Sequence, residues 1–151
     1  FSESCRQSGR VPGSPVLAFC RKSSDSLTSD FLQLAPDEEV FFLERLLLAD
    51  GIPIINVHTW LPVRLFPDFD PKAVENGSFF EYLKSAYSYS IADSSRSTVS
   101  VTTASADMAQ TLSLAPGDPV MILDSYMQSP DGAPLYISRE YIAGSRYTIS
   151  F

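Results

Sequence analysis

Residues 40–62 read VFFLERLLLADGIPIINVHTWLP. Two runs of aliphatic, aromatic and β-branched residues flank Ala49-Asp50-Gly51-Ile52, and Asp-Gly between such runs is a strong hairpin signal. Strand alternation then sorts the side chains. On the first strand Phe41, Leu43, Arg45 and Leu47 share one face, and Phe42, Glu44, Leu46 and Leu48 the other. On the second, Ile55, Val57 and Thr59 oppose Ile54, Asn56, His58 and Trp60. An arginine in so apolar a run needs a partner if it is buried. That partner is either an acidic side chain of the fold or an anion from solution, and the residues alone leave both open.

The hairpin has an echo some eighty residues on. Leu34-Ala35-Pro36-Asp37 precedes it, and Leu114-Ala115-Pro116-Gly117 precedes a second apolar run; Asp50-Gly51-Ile52-Pro53 is matched by Asp131-Gly132-Ala133-Pro134. Two copies are too few for a solenoid, so the pattern predicts two similar helix-turn-hairpin units. The offset places Ser125 where Arg45 stands, and Tyr136, Ser138 and Glu140 where Ile55, Val57 and Thr59 stand.

Working outward, residues 1–9 suggest a short helix with Ser2 as cap and Gly9 as stop. Residues 13–21 read as a strand. Residues 27–34 space Leu27, Phe31 and Leu34 as one helical stripe behind Asp25 and Ser26. The proline-rich 62–77 is a loop with one turn of helix, and Asn76-Gly77-Ser78 opens a helix over 79–85. Residues 90–103, rich in serine and threonine around Val99 and Val101, suit an exposed edge strand. A helix over 104–114, a hairpin over 120–142 and a last strand over 146–151 complete the order. Hairpin-linked strands interleaved with helices predict an α+β fold, an antiparallel sheet with flanking helices.

At 151 residues, 44% of them hydrophobic, the chain is expected to be one domain with a sizeable core. No apolar run reaches bilayer length and no signal peptide is evident, so no membrane role is expected and the location is read as cytoplasmic. Cys5 and Cys20 are read as reduced thiols. A net charge of −7 argues against a surface that grips phosphates of nucleic acid. His58, the sole histidine, has no Cys or carboxylate cluster around it, so neither a metal site nor a cofactor is expected.

LERLLLADGIPIINVHTWLP, GSFFEYL, ADMAQTLSLAPGDPVMILD and SPDGAPLYISREYIAGSRYTISF, with FSESCRQSGRVPGS at the start, together resemble the UTRA domain. This is the effector-binding domain of HutC-type GntR transcription regulators, with the chorismate lyase-like fold. The resemblance implies a small-molecule pocket, a homodimer, and operator binding through an N-terminal winged helix-turn-helix domain that nothing here resembles. The chain is therefore expected to be the sensor half, a single effector-binding and dimerisation domain over 1–151. By the family pattern the Val57 face looks into the pocket, and an arginine at the position of Arg45 and a serine at Ser78 hold an anionic ligand. The family often has a second arginine where this chain has Leu47, and a glutamate where it has Val57, so the pocket here is more apolar.

Arg45 and Ser78 also make sense by chemistry, because free amides at a helix start attract an anion that a guanidinium can grip bidentately. The bland alternative is a capping serine and an internally paired arginine. Thr59, Tyr136, Ser138 and Glu140 join Arg45, Ser78, Leu47 and Val57 as candidate ligand-binding residues. Arg146 is read as a structural pairing and His58 as facing away from the pocket. The functional expectation is an effector sensor and not an enzyme. A chorismate lyase-like enzyme, or a dimerisation module whose pocket is collapsed, is the alternative.

Overall fold

The computed structural model describes residues 1–92 and 95–150; Asp93, Ser94 and Phe151 lie outside the described residues, as does the side chain of Leu27 in the expected helical stripe. The elements, in chain order, are α1 (Ser2–Gln7), β1 (Pro12–Gly13), β2 (Val16–Ser23), α2 (Ser26–Leu32), β3 (Glu39–Ala49), β4 (Ile52–Pro62), a 3-10 turn (Pro71–Ala73), α3 (Phe79–Tyr87), β5 (Arg96–Thr103), α4 (Ala106–Leu112), β6 (Pro119–Gln128) and β7 (Pro134–Ala143). The strands form one antiparallel sheet of order β1-β3-β4-β7-β6-β5, with β2 also pairing with β3. Asp50 (φ 51°) and Gly51 (φ 76°) close the β3–β4 hairpin with two left-handed residues, the geometry that a two-residue turn requires.

The echo is structural. An offset of 80 carries α2 onto α4 (26 to 106, 32 to 112). Both helices are capped by a side chain that accepts from a backbone amide, Asp25 from Thr28 at 2.8 Å and Ser105 from Met108 at 3.2 Å. Both end on a left-handed residue, Gln33 at φ 55° and Ser113 at φ 54°. The β3–β4 ladder slips between Leu47 and Leu48, and the β6–β7 ladder slips between Met127 and Gln128, the same place in each unit. The two units join where β4 pairs with β7. There the offset is 81: Val57 and Thr59 map onto Ser138 and Glu140, and the pair Val57↔Glu140 maps onto the pair Ser138↔Thr59. His58↔Arg139 maps onto itself, so a local two-fold runs through that pair.

The sheet has two differently covered faces. On one, the segment after β4 folds back so that Phe66, Phe69, Val74, Phe79 and Leu83 bury Leu43 and Leu61. Hydrogen bonds from the Tyr87 hydroxyl to the Pro67 carbonyl (2.9 Å) and from the Tyr89 hydroxyl to the Leu65 carbonyl (2.6 Å) pin this cover down. The other face receives α2 and α4, with Phe31 edge-on to Tyr126 at 5.1 Å. His58 lies on this second face, 2.9 Å from Asn56 Oδ1 and ringed by Phe42, Trp60 and Tyr141. Burial pushes its pKa below the ordinary histidine value, against the pull of Glu44. Among the described residues no cluster of metal-ligating side chains forms, and Cys5 and Cys20 are free thiols.

Three sequence expectations need correction. The strand expected over 13–21 is split into β1 and β2, because Pro15 has no amide to give the ladder and the register shifts between Val16 and Ala18. Ser2 lies inside α1, whose cap position is Phe1 with no side-chain hydrogen bond. The last strand is absent: residues 146–150 join no ladder. Tyr147 and Ile149 instead pack against the cluster of Leu47, Ile55, Val57 and Ile142. β3, β4, β6 and β7 already have neighbours on both sides, so an alternating tail placed against them finds no free edge and settles for side-chain burial.

Candidate functional site

A cavity of about 610 Å³ opens on the sheet face that carries Arg45, between β3, β4, β6 and β7, α1 and the start of α3. The structure brings all eight sequence-predicted residues to its wall: Arg45 and Leu47 from β3, Val57 and Thr59 from β4, Tyr136, Ser138 and Glu140 from β7, and Ser78 from the head of α3. Ser125, reached through the echo, lines it as well. The local two-fold explains this convergence. Residues equivalent in the two units meet across the β4–β7 seam, so one cavity draws on both copies of the same strand face.

Arg45 is 9% exposed, and its guanidinium makes no hydrogen bond or ion pair with any described residue. The guanidinium lies over the ring of Phe79, 4.9 Å from Cζ, a cation–π contact. Burial lowers its pKa from the ordinary arginine value, while the fields of Glu140 and Tyr136 act in the opposite sense. Thr59, at 1% exposed, likewise has a buried Oγ1 without a hydrogen-bond partner. Buried polar atoms are almost always satisfied, and two of the unsatisfied ones among the described residues lie on this one cavity wall. Glu140 is held above the usual carboxylate range by burial, with Arg45 opposing the shift. Burial raises the Tyr136 hydroxyl too, against the pull of Arg45.

Ser78 caps α3 by accepting from the Glu81 amide at 3.2 Å. That leaves its hydroxyl proton free to donate. The amides of Phe79 and Phe80 make no hydrogen bond to the described residues and belong to the first helical turn, where donors are unsatisfied by construction. Replacing Ser78 by alanine is expected to lower stability by about 1 kcal/mol, the usual worth of such a cap, read as an earlier urea midpoint at unchanged slope.

Sequence reasoning missed one wall. Phe1, with Ser2, Glu3 and Arg6 of α1 and the segment Pro12–Ser14, also lines the cavity. A helix of six residues offers too little periodicity for its inner face to be read, and its docking depends on contacts distant in sequence. Asn76 was singled out only as a turn residue. Its Oδ1 accepts from the Ser14 amide at 2.9 Å while its own amide donates to the Ser14 carbonyl at 3.1 Å, so it clamps that wall to the head of α3. His58, expected to face away from the pocket, is absent from its wall. Arg139 grips Asp124 bidentately at 2.7 and 2.8 Å on the opposite face.

A seven-stranded antiparallel sheet with a polar-headed cavity over the seam of two repeated units is an architecture suited to holding a small molecule. The chain belongs to the UTRA domain family, whose profile matches residues 7–148. It is 24% identical over 141 residues to the "Probable fructoselysine utilization operon transcriptional repressor" of Escherichia coli K12, a match covering 93% of this chain and 53% of that protein. The chain thus spans about half the length of the curated relatives it matches. Among solved structures, PhnF from Mycobacterium smegmatis superposes with a TM-score of 0.90 at 21% identity, covering 99% of this chain and 66% of that one. A GntR-family transcriptional regulator from Enterococcus faecalis V583 superposes with a TM-score of 0.83 at 25% identity, covering 91% and 98%. No helix of the described residues is long and apolar enough to cross a membrane.

Proposed function

We propose that this chain is the ligand-sensing and dimerisation domain of a GntR/HutC-type transcription regulator, and that its cavity binds a small anionic metabolite. The carrying observation is Arg45, a buried cation without a hydrogen bond or ion pair among the described residues, on the same cavity wall as the head of α3. The open volume of about 610 Å³ supports a sensor over a collapsed dimerisation module. Arg45, Ser78, Thr59, Tyr136, Ser138 and Glu140 contact the ligand, and Leu47 and Val57 give the floor its apolar part. The whole regulator works in the cytoplasm as a homodimer. Operator DNA is gripped by a winged helix-turn-helix domain outside this chain, a division of labour that the net charge of −7 supports. Effector binding shifts the population between two dimer states that differ in affinity for it.

A thermal-shift screen over phosphates, carboxylates and their uncharged parents tests the reading. A true effector at a hundred times its dissociation constant adds about 2.7 kcal/mol of stability, and the same compound then changes operator affinity of the full-length regulator. A panel that leaves the melting curve unmoved, together with operator binding indifferent to every metabolite tried, would overturn it.

A further inference from the structure

The cavity carries a second charged side chain, Glu140, that makes no hydrogen bond or ion pair among the described residues. Arg45 pairs across the ladder with Val57, and Val57 with Glu140, so the two charged residues stand in one row, two strand spacings apart. That is roughly 10 Å between backbones. Both side chains line the cavity, yet among the described residues no ion pair joins them within 4.0 Å, and each acts on the other only through its field. The residue between them, Val57, has no polar atom with which to bridge the gap. Opposite charges in a shared low-dielectric space gain strongly by meeting, and here the protein holds them apart.

Resting on the reading of this cavity as the effector site, we propose that the effector is bifunctional, an amine-bearing acid whose anionic group meets Arg45 and the α3 amides while its ammonium group meets Glu140. An effector with only a negative group satisfies Arg45 but sits beside the half-buried Glu140 carboxylate, which repels it when ionised. A bifunctional one completes both charges and leaves the cavity neutral. Its spacer crosses Val57 and Leu47, and the hydroxyls of Thr59 and Ser138 lie beside its path. The other charged side chains at the cavity are those of Glu3, Arg6 and Glu81. All three are exposed, and none lies in the row that joins Arg45 to Glu140. The anionic group is a carboxylate or a phosphate, and the probes separate these sources.

The test is titration calorimetry with 4-aminobutyrate, 6-aminohexanoate, lysine and 3-aminopropyl phosphate against hexanoate, propyl phosphate and hexylamine. At least one amino acid or amino phosphate is expected to bind tenfold or more tightly than both of its one-charge counterparts, the scale of a charged hydrogen bond. Glu140→Gln is expected to erase that preference and leave the plain acid bound as well as before or better. A second readout does not depend on a variant. Because the ammonium favours the ionised carboxylate, affinity for the bifunctional probe rises with pH through the titration of Glu140, whereas affinity for the plain acid falls. Plain acids binding as well as amino acids, or a preference that survives Glu140→Gln, overturns the inference and leaves the anion-sensor reading standing. Binding of no probe of any charge overturns both.

Discussion

Replacing Arg45 by methionine is expected to make the ligand-free domain more stable while abolishing effector binding. A buried guanidinium without a hydrogen bond or an ion pair among the described residues carries a desolvation penalty that the field of Glu140 and the Phe79 ring offset only in part. Methionine fills similar volume, adapts to irregular space and removes that penalty. The loss is the contact with the Phe79 ring at 4.9 Å, about 0.5–2 kcal/mol. Exchanging buried charged groups for apolar ones of like volume stabilises by about 1–4 kcal/mol, so the net gain should be roughly 1 kcal/mol, some 2–4 °C in melting temperature for a chain of this size. Binding moves the other way: removing one partner of a desolvated charge pair costs about 2–5 kcal/mol, thirtyfold or more in dissociation constant. Arg45→Lys, which keeps the charge and loses the two-pronged donor, should fall between. A methionine variant that melts well below the parent and still binds its ligand would show that Arg45 is a structural residue and that the cavity takes its ligand elsewhere.

The opposite signs of those two effects express why so much of this site was legible beforehand. Arg45 stood out because it breaks an apolar alternation, and such a break is kept where it serves something other than stability. The echo carried further than one motif does, since a repeated register fixes the faces of both hairpins at once: Ser138 and Glu140 were placed by counting from Val57 and Thr59, and the β4–β7 ladder sets those residues side by side. Leu47 and Val57 came from family resemblance, since nothing in an apolar side chain on an apolar strand announces a cavity. What stayed hidden is what depends on contacts between distant segments. The α1 wall, the Asn76 clamp on Ser14 and the failure of residues 146–150 to pair all turn on which neighbours are already taken. Strand periodicity describes a face and says nothing about free edges.

Arg146 supplies the largest expected loss of stability. Its Nη1 donates to the carbonyls of Pro53 at 2.7 Å and Leu112 at 2.6 Å, and its Nη2 to that of Ser113 at 2.6 Å. Each acceptor lacks an ordinary partner for a local reason. Leu112 and Ser113 are the last residues of α4 and its cap, where carbonyls have no amide above them and a cation suits the helix dipole. Pro53 lies where the β3–β4 ladder slips, opposite Leu48. One planar guanidinium therefore ties the hairpin of the first unit to the helix of the second. Arg146→Ala removes three charge-assisted bonds and strands their acceptors. With each bond at about 1.5–3 kcal/mol when buried, and these only partly so, the expected cost is roughly 3 kcal/mol, or about 6–12 °C in melting temperature. Arg146→Lys should recover little, because an ammonium at the end of a flexible stem does not reproduce the fixed fork that reaches three carbonyls at once. Arg146 is absent from the wall of the effector cavity, so the variants should keep effector affinity at temperatures where they remain folded. Urea unfolding of both variants, paired with calorimetry at low temperature, separates the two effects; an alanine variant as stable as the parent would mean that water serves those carbonyls as well as the arginine does.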